Sequence, residues 1–361
     1  MRTSVCFVAI FFLCSTVTGY SRQLKDGFDK EEYRHLMHIS AHTTADTGYA
    51  KNFPIPQGYQ LLYRSAAIGL DNLWELWRYQ DIAIISIRGT TRNKTSWLAN
   101  FYSAMVPAKG TLQLSKDRTF TYTLSNDPKA AVHVGWLLST AFLSEEMLPR
   151  LQNLYNEGVR DLLIMGHSQG GAISYLLTAY FYHLKAEGKL PADLQMKTYS
   201  SASPKPGNLF FAYEYESITR GGWAFNVVNA ADWVPETPVS VQTLKDFNVV
   251  NPFVIAPGLI RKQKFPNNLF FSYMYHRLNN PIVRAQRNYE RYLGRLLSKT
   301  VRKELKEFVP PQYVHSNHFV RTGATIVFQP DQDYYREFPD DPKQVFVHHF
   351  HKPYLYLLDR Y

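Results

Sequence analysis

Residues 161–172 read DLLIMGHSQGGA, and the rest of the chain can be read outward from them. Leu162 to Met165 form a short apolar run of the kind found in a strand buried on both faces, and Gly170 to Ala186 reads as a helix. Between them Gly166, His167, Ser168, Gln169 and Gly170 have the spacing G-x-S-x-G. A sharp strand-to-helix turn strains the backbone of its central residue, so only residues without a side-chain branch fit two places before and after it. The helix starts at the serine, and its first backbone N–H groups, that of Gln169 among them, point to where an oxyanion would form. The bare pattern arises by chance in roughly one chain in ten of this length, so the flanking strand, the helix and the extra Gly171 are what make Ser168 a candidate nucleophile.

Strands and helices alternate on both sides of this turn. Upstream, Phe28 to Asp46 has helical spacing through Tyr33, Leu36, Met37, Ile39 and Ser40; Tyr59 to Ile68 and Leu73 to Tyr79 read as strands. Ile82 to Ile87, between Asp81 and Arg88, is a β-branched run with the pattern of a doubly buried strand, and Trp136 to Asn156 reads as a helix. Downstream come strands at Met196 to Ser201 and Trp223 to Ala230, and a closing helix from Phe346 to Tyr361. This order predicts an α/β fold with a mostly parallel central sheet flanked by helices. At 361 residues, 45% hydrophobic and 15% aromatic, the chain excludes disorder, collagen and coiled coil.

Two segments stand apart. Arg2 followed by a short apolar run that ends in small residues at Val17 and Gly19 predicts a signal peptide over 1–19, hence a secreted or periplasmic protein. Ser4 to Val17 is shorter than the ~20 apolar residues of a bilayer span, and Cys14 lacks the small neighbours of a lipidated cysteine. Cys6 and Cys14 are the only cysteines, so the mature chain is expected to lack disulfides. The second segment, 245–323, carries no strong strand pattern and reads as an insertion within a single domain over 20–361. From Arg261 to Lys306 twelve Lys and Arg face only two acids, Glu290 and Glu304, an excess as large as the chain's formal charge of +10. Ala285, Tyr289, Tyr292 and Leu296 mark one face of a helix there, and Arg284, Arg287, Arg291 and Arg295 another, as in a basic amphipathic helix that meets an anionic membrane surface or is simply solvated. Basic charge alone does not indicate nucleic acid, and no such partner is expected.

A serine hydroxyl becomes a useful nucleophile when a histidine takes its proton and a carboxylate fixes that histidine's tautomer. In α/β-hydrolase-type chains the acid follows the serine and the histidine follows the acid, each on a loop after a strand. Asp232 meets the condition, lying just beyond the strand at Phe225 in NAADWVPETP; its other role would be to cap a turn. The C-terminal VFVHHFHKPYLYLL offers His348, His349 and His351 as the base, and composition does not choose among them. No carboxylate or cysteine companions suggest that the three bind metal, and no cofactor is expected; His315 and His318 stay unassigned.

In order along the chain, IAIISIRGTT, HVGW, LIMGHSQGGA, YSSASPKPGN, VVNAADWVP and HHFHKPYLYLL resemble the class 3, or fungal-type, lipases, from Ile82 to Leu358. The resemblance implies an α/β-hydrolase fold, from whose pattern the insertion before the histidine departs. It implies that His349, five residues before Tyr354, is the base; that Thr90, directly after Arg88-Gly89, supplies the second oxyanion group beside Gln169; and that His133 is structural. Trp97, Leu98, Phe101 and Tyr102 fall where the family carries a lid, although a helix packed in the core has the same composition. Asp232 and His349 are about twice as far apart as in compact fungal members, a departure that bears on the acyl pocket and substrate range. Fungal secreted relatives usually carry disulfides and the mature chain is expected to have none, so a bacterial member is expected.

The function implied is a secreted serine ester hydrolase with a Ser168–Asp232–His349 triad, acting on a lipid or other ester at an interface, most simply triacylglycerol. Phospholipase A1 and short-chain or feruloyl esterase share this chemistry, and a catalytically silent lipid- or partner-binding fold shares the scaffold.

Overall fold

Every residue from Ile82 to Ile87 is buried, and the central sheet is built around this strand. The computed structural model describes residues 23–361 apart from residue 45; the expected signal peptide and both cysteines lie outside the described residues. Strands β1 (Tyr59–Arg64), β2 (Trp74–Tyr79) and β3 (Ile82–Ile87) form an antiparallel meander, with Gln80 taking a positive φ of 51° in the tight turn between the last two. Two small antiparallel pairs follow: β4 (Met105–Pro107) with β7 (Ala131–His133), and β5 (Lys109–Ser115) with β6 (Arg118–Thr123). Strands β8 (Asp161–His167), β9 (Gln195–Ser201), β10 (Ala224–Asn229) and β11 (Ala324–Phe328) then extend the main sheet from β3, all in parallel. The seven strands lie in the order β1-β2-β3-β8-β9-β10-β11, an α/β-hydrolase fold with a mixed, mostly parallel sheet.

The period of two along the strands divides the core. Ala83, Ile85, Leu162 and Ile164 face one side, where helices α4 (Val134–Asn156), α5 (Gln169–Ala186) and α6 (Leu209–Ile218) pack. Ile82, Ile84, Leu163 and Met165 face the other, under α1 (Lys30–Thr43) and α11 (His351–Leu358). All five residues expected on the inner face of α1 are buried, and Asp29 caps its start by accepting from Glu31 and Glu32 N–H. Three further short helices are α2 (Thr47–Ala50), α3 (Lys94–Phe101) and α10 (Gln332–Glu337).

Several expectations need correction. The β5–β6 pair, with an alternating pattern and Lys116-Asp117 at its turn, and the edge strand β11 have no counterpart in the sequence reading. The closing helix starts at His351 rather than Phe346, because residues 346–350 turn toward the sheet and carry His349 inward. The stretch 245–323, read as an insertion, lies partly in the core. Helix α7 (Pro252–Arg261) has no buried residue and α8 (Asn267–Tyr289) only Gln286, but Val301 of α9 (Leu297–Glu304) and Phe308 join the main core.

The inward face of this region also differs from the expected one. Glu290–Leu296 is a π-helix, and the buried positions are Gln286, Glu290, Gly294, Ser298 and Val301, whereas Tyr292 and Leu296 are exposed. The wider turn rotates the face relative to an α-helix read at 3.6 residues per turn. Gly294 is the contact point: a Cβ there would lie 2.7 Å from Ala104 Cβ and 3.2 Å from the Tyr313 ring. Gly294→Val should therefore overpack this junction and cost about 1–3 kcal/mol, read as a lower denaturant midpoint in urea; an unchanged midpoint would show that the inner half of the insertion is not bound there.

Candidate active site

At the end of β8 the backbone does what the glycine spacing predicts. Ser168 has φ 61° and ψ −129°, a strained conformation for a residue with a side chain, and α5 starts at the next residue. A Cβ on Gly166 would lie 2.1 Å from Gly170 O, and one on Gly170 would lie 2.2 Å from Ile87 O, so the turn closes only with glycine at both places. Ser168 N–H donates to Ser201 O at 2.9 Å, tying the turn to β9. No side chain caps α5, which leaves its first N–H groups, beginning with Gln169, directed to the space beside Ser168.

Of the three C-terminal histidines, it is His349 that reaches Asp232, with Nδ1 2.8 Å from Oδ2. Since Nδ1–H donates to a carboxylate, a neutral His349 presents Nε2 as its acceptor. Asp232 is buried, and its charge is met by three donors: His349, the Tyr354 hydroxyl at 2.8 Å on the same oxygen, and Val234 N–H at 3.0 Å on Oδ1. Burial, and then the Asp232 charge, push the Tyr354 phenol well above its ordinary pKa and keep it a neutral donor. The aromatic at position 354 thus bonds the acid and does more than start a helix. His348 instead donates to Asp340 and accepts from Tyr334, while His351 sits between Tyr49 and Ser40. His315 is bonded to Glu290 in the insertion, and the Nδ1 of His318 has no hydrogen-bond partner among the described residues.

His167, next to the candidate nucleophile, links it to His349, the candidate base. Its Nε2–H donates to His349 O at 2.7 Å, so its Nδ1 must accept, from Ser201 Oγ at 3.1 Å, which in turn accepts from the Tyr33 hydroxyl at 2.7 Å. This chain from α1 through β9 to residue 349 fixes where the His349 backbone lies. Among the described residues, neither Ser168 Oγ nor His349 Nε2 has a hydrogen-bond partner, so no serine-to-histidine bond is made. Such links are often made only once a ligand is in place.

The strand end carrying Thr90 packs against the serine turn; a Cβ on Gly89 would be 3.0 Å from His167 O and 3.4 Å from Ser168 Cβ. Thr90 Oγ1 accepts from Asn100 Nδ2 at 2.8 Å, which leaves its own hydrogen free to donate outward. Asn100 Oδ1 accepts from Gln169 Nε2 at 2.9 Å and Trp136 Nε1 at 3.0 Å, and Asn100 O accepts from His133 Nε2 at 3.1 Å. One amide thereby orients both residues expected at the oxyanion position, and His133 has the structural role expected of it. Asn100 went unnoticed in the sequence because no spacing rule connects positions 90, 100, 133, 136 and 169.

The candidate lid divides in two. Tyr102 is fully buried, bonded to the Tyr313 hydroxyl at 2.8 Å and packed on Phe308, so it belongs to the core and is removed from the lid. Trp97 and Leu98 are half-buried and Phe101 is exposed. Trp97 stacks on Phe101 at 5.6 Å, and Phe346 connects Trp97, Trp233 and His349 through ring contacts of 5.4–6.3 Å. The result is an apolar aromatic wall directly beside the Asp232–His349 pair.

Residues 84–242 match the family model described as Lipase (class 3), a stretch that includes Thr90, Ser168 and Asp232 but ends before His349. This match classes that part of the chain with lipases, hydrolases of the α/β-hydrolase fold. Among curated proteins none matches the chain. Among solved structures the chain is similar to the Rhizomucor miehei lipase propeptide complex, at 21% identity and TM-score 0.41, covering 59% of this chain and 65%, just under two thirds, of that one. It is also similar to the lipase from Rhizopus microsporus var. chinensis (22% identity, TM-score 0.41, covering 58% of this chain and 69% of that one) and to lipase II from Rhizopus niveus (20%, 0.40, 58% and 74%). These relatives are fungal, which corrects the expectation of a bacterial member.

Two outcomes can be tested here. Asn100→Ala should lower kcat roughly tenfold to hundredfold on a soluble ester with little change in KM, since it releases groups aimed at developing charge without touching bound substrate; equal kcat in both proteins would remove Asn100 from the site. Burial lowers the pKa of His133 and His351 to about 3 and that of His167 well below its ordinary value, with the neighbouring histidines adding to the shift for the latter two. These groups are neutral in both states above about pH 6.5; below it the unfolded chain takes up protons that the folded one refuses, so stability falls as pH drops from 6.5 toward 3. Each contributes up to about 1.4 kcal/mol per pH unit, and His351→Asn should flatten the acid side of a Tm-against-pH curve. An identical slope in the variant would count against this account.

Proposed function

We propose that this protein is a serine carboxylester hydrolase whose substrate is a long-chain acyl ester, triacylglycerol in the first instance. Ser168 Oγ attacks the ester carbonyl as His349 Nε2 takes its proton, and Asp232 stabilises the resulting imidazolium. The tetrahedral oxyanion is met by the Gln169 N–H and by the hydroxyl and N–H of Thr90. His349 then protonates the departing alcohol, and a water molecule, deprotonated by the same nitrogen, releases the fatty acid from the acyl-enzyme.

The observation that carries this reading is the buried Asp232–His349 pair, 2.8 Å apart and hydrogen-bonded through His167 to the strained serine turn. A silent binding fold has no use for a strained serine together with a buried carboxylate–histidine pair whose second nitrogen is an open acceptor. The aromatic wall of Trp97, Phe101, Phe346 and Trp233 favours an acyl chain over a small polar acid. Phospholipase A1 is the second reading, favoured by the basic and apolar insertion. We further propose export after loss of residues 1–19, with 20–361 acting as one unit and 245–323 as an insertion in it.

The reading is tested by hydrolysis across an acyl series from acetyl to oleoyl, with emulsified triglyceride and phosphatidylcholine included. Long-chain turnover should fall at least about 10⁴-fold in Ser168→Ala, and roughly as far in His349→Ala. Activity confined to short soluble esters would reduce the protein to an esterase, and turnover that survives in Ser168→Ala would reject the mechanism.

A further inference from the structure

The segment from Phe247 to Tyr289 contains no Asp or Glu but six Lys and Arg. In it α7 and the first half of α8 form a hairpin whose large apolar residues are open to water: Phe265 is 78% exposed, Leu278 68% and Val254 63%. Leu269 and Phe270 are exposed on the same arm, and Arg261, Lys262 and Lys264 lie at its turn. Globular proteins rarely gather so many exposed large apolar residues on one hairpin unless something meets them. No helix among the described residues is long and apolar enough to cross a membrane, so a hairpin of this kind would lie on a lipid surface rather than span it.

At the base of α8, where it passes into the π-helix, there is a half-open cleft of about 690 Å³ lined by Lys245, Arg287, Arg291 and Lys299. The carboxylate in it is already engaged: buried Glu290 bonds Arg295 at 2.8 Å and His315 at 2.5 Å. Burial works against the Glu290 charge, but these two bonds outweigh it and hold its pKa below the usual carboxylate value. Among the described residues no carboxylate pairs with the other four cations. Four cations without a carboxylate partner line one cleft next to an exposed apolar hairpin, and together they complement a phosphate group attached to an acyl-chain surface.

We propose that the insertion docks on an anionic phospholipid surface, with the α7–α8 hairpin lying among the acyl chains and a headgroup phosphate held between Lys245, Arg287, Arg291 and Lys299. The inference rests on the ester-hydrolase reading, since it names the surface on which the substrate ester is met. Aliphatic side chains as prominent as Leu278 and Val254 favour lipid over nucleic acid, which such side chains neither stack on nor neutralise.

The test is co-sedimentation of the full protein with phosphatidylcholine vesicles, with and without phosphatidylglycerol. Wild type should bind the anionic vesicles preferentially and lose that preference in high salt. Arg287→Gln/Arg291→Gln/Lys299→Gln should weaken anionic binding about fivefold per charge, roughly a hundredfold in all. Phe265→Ser/Leu269→Ser/Phe270→Ser should weaken binding to both kinds of vesicle while the cleft stays intact. Circular dichroism and hydrolysis of a soluble short-chain ester should match wild type in both variants. Equal wild-type binding to neutral and anionic vesicles, or an unchanged preference in the triple charge variant, would overturn the proposal. So would glycerol 3-phosphate stabilising wild type, but not the charge variant, without any vesicle binding, because the cleft would then be a site for a free phosphate. If wild type hydrolysed no ester at all, the catalytic reading would fall and the vesicle result would still decide this one.

Discussion

The structure depends on how closely three backbones approach at the end of β8. Gly170 rests on the Ile87 carbonyl of β3, Gly166 on the Gly170 carbonyl at the start of α5, and Ser168 N–H on the Ser201 carbonyl of β9. Strain at Ser168 costs of order 1–3 kcal/mol and persists because neighbouring elements leave the turn no other course. The same contacts aim the first turn of α5 at the space beside the serine and bring Gly89-Thr90 against it. The candidate nucleophile and the candidate oxyanion groups are therefore placed by a single packing constraint.

The acid–base side is assembled from much farther away. Asp232 and His349 are separated by 117 positions, and the turn at 346–350, with the His167 bond to the His349 carbonyl, brings them together. A buried carboxylate is costly unless its charge is met, and here three donors meet it. Its neighbours, His167 and His351, are kept neutral by burial, so they fix geometry without competing for the proton His349 would take.

What was legible in the sequence had a local signature. The doubly buried runs at Ile82 and Leu162, the spacing of Gly166 and Gly170 and the inner face of α1 all reflect short-range rules, and the strands and helices built on them appear close to where those rules put them. The order of acid and base followed from the general chain order of α/β-hydrolases, whereas His349 in preference to its neighbours came from family resemblance rather than from spacing. What escaped is held by long-range contact: Asn100 linking Thr90 to Gln169, Tyr33 acting through Ser201, and β11 pairing with β10 only after an excursion of about ninety residues. The face of the basic helix was misjudged because a π-helix does not keep the 3.6-residue period, and Tyr102 because an aromatic in the core and one over a site have the same composition.

The central claim is that the strained serine is a nucleophile activated by the buried pair, and covalent capture tests it most directly. Folded protein should be treated with a fluorophosphonate, digested and analysed by mass spectrometry, beside the Ser168→Ala and Asp232→Asn variants. The account predicts one adduct, on Ser168, absent from the first variant and formed far more slowly in the second. No adduct on folded wild type, or an adduct whose rate ignores Asp232, would contradict it.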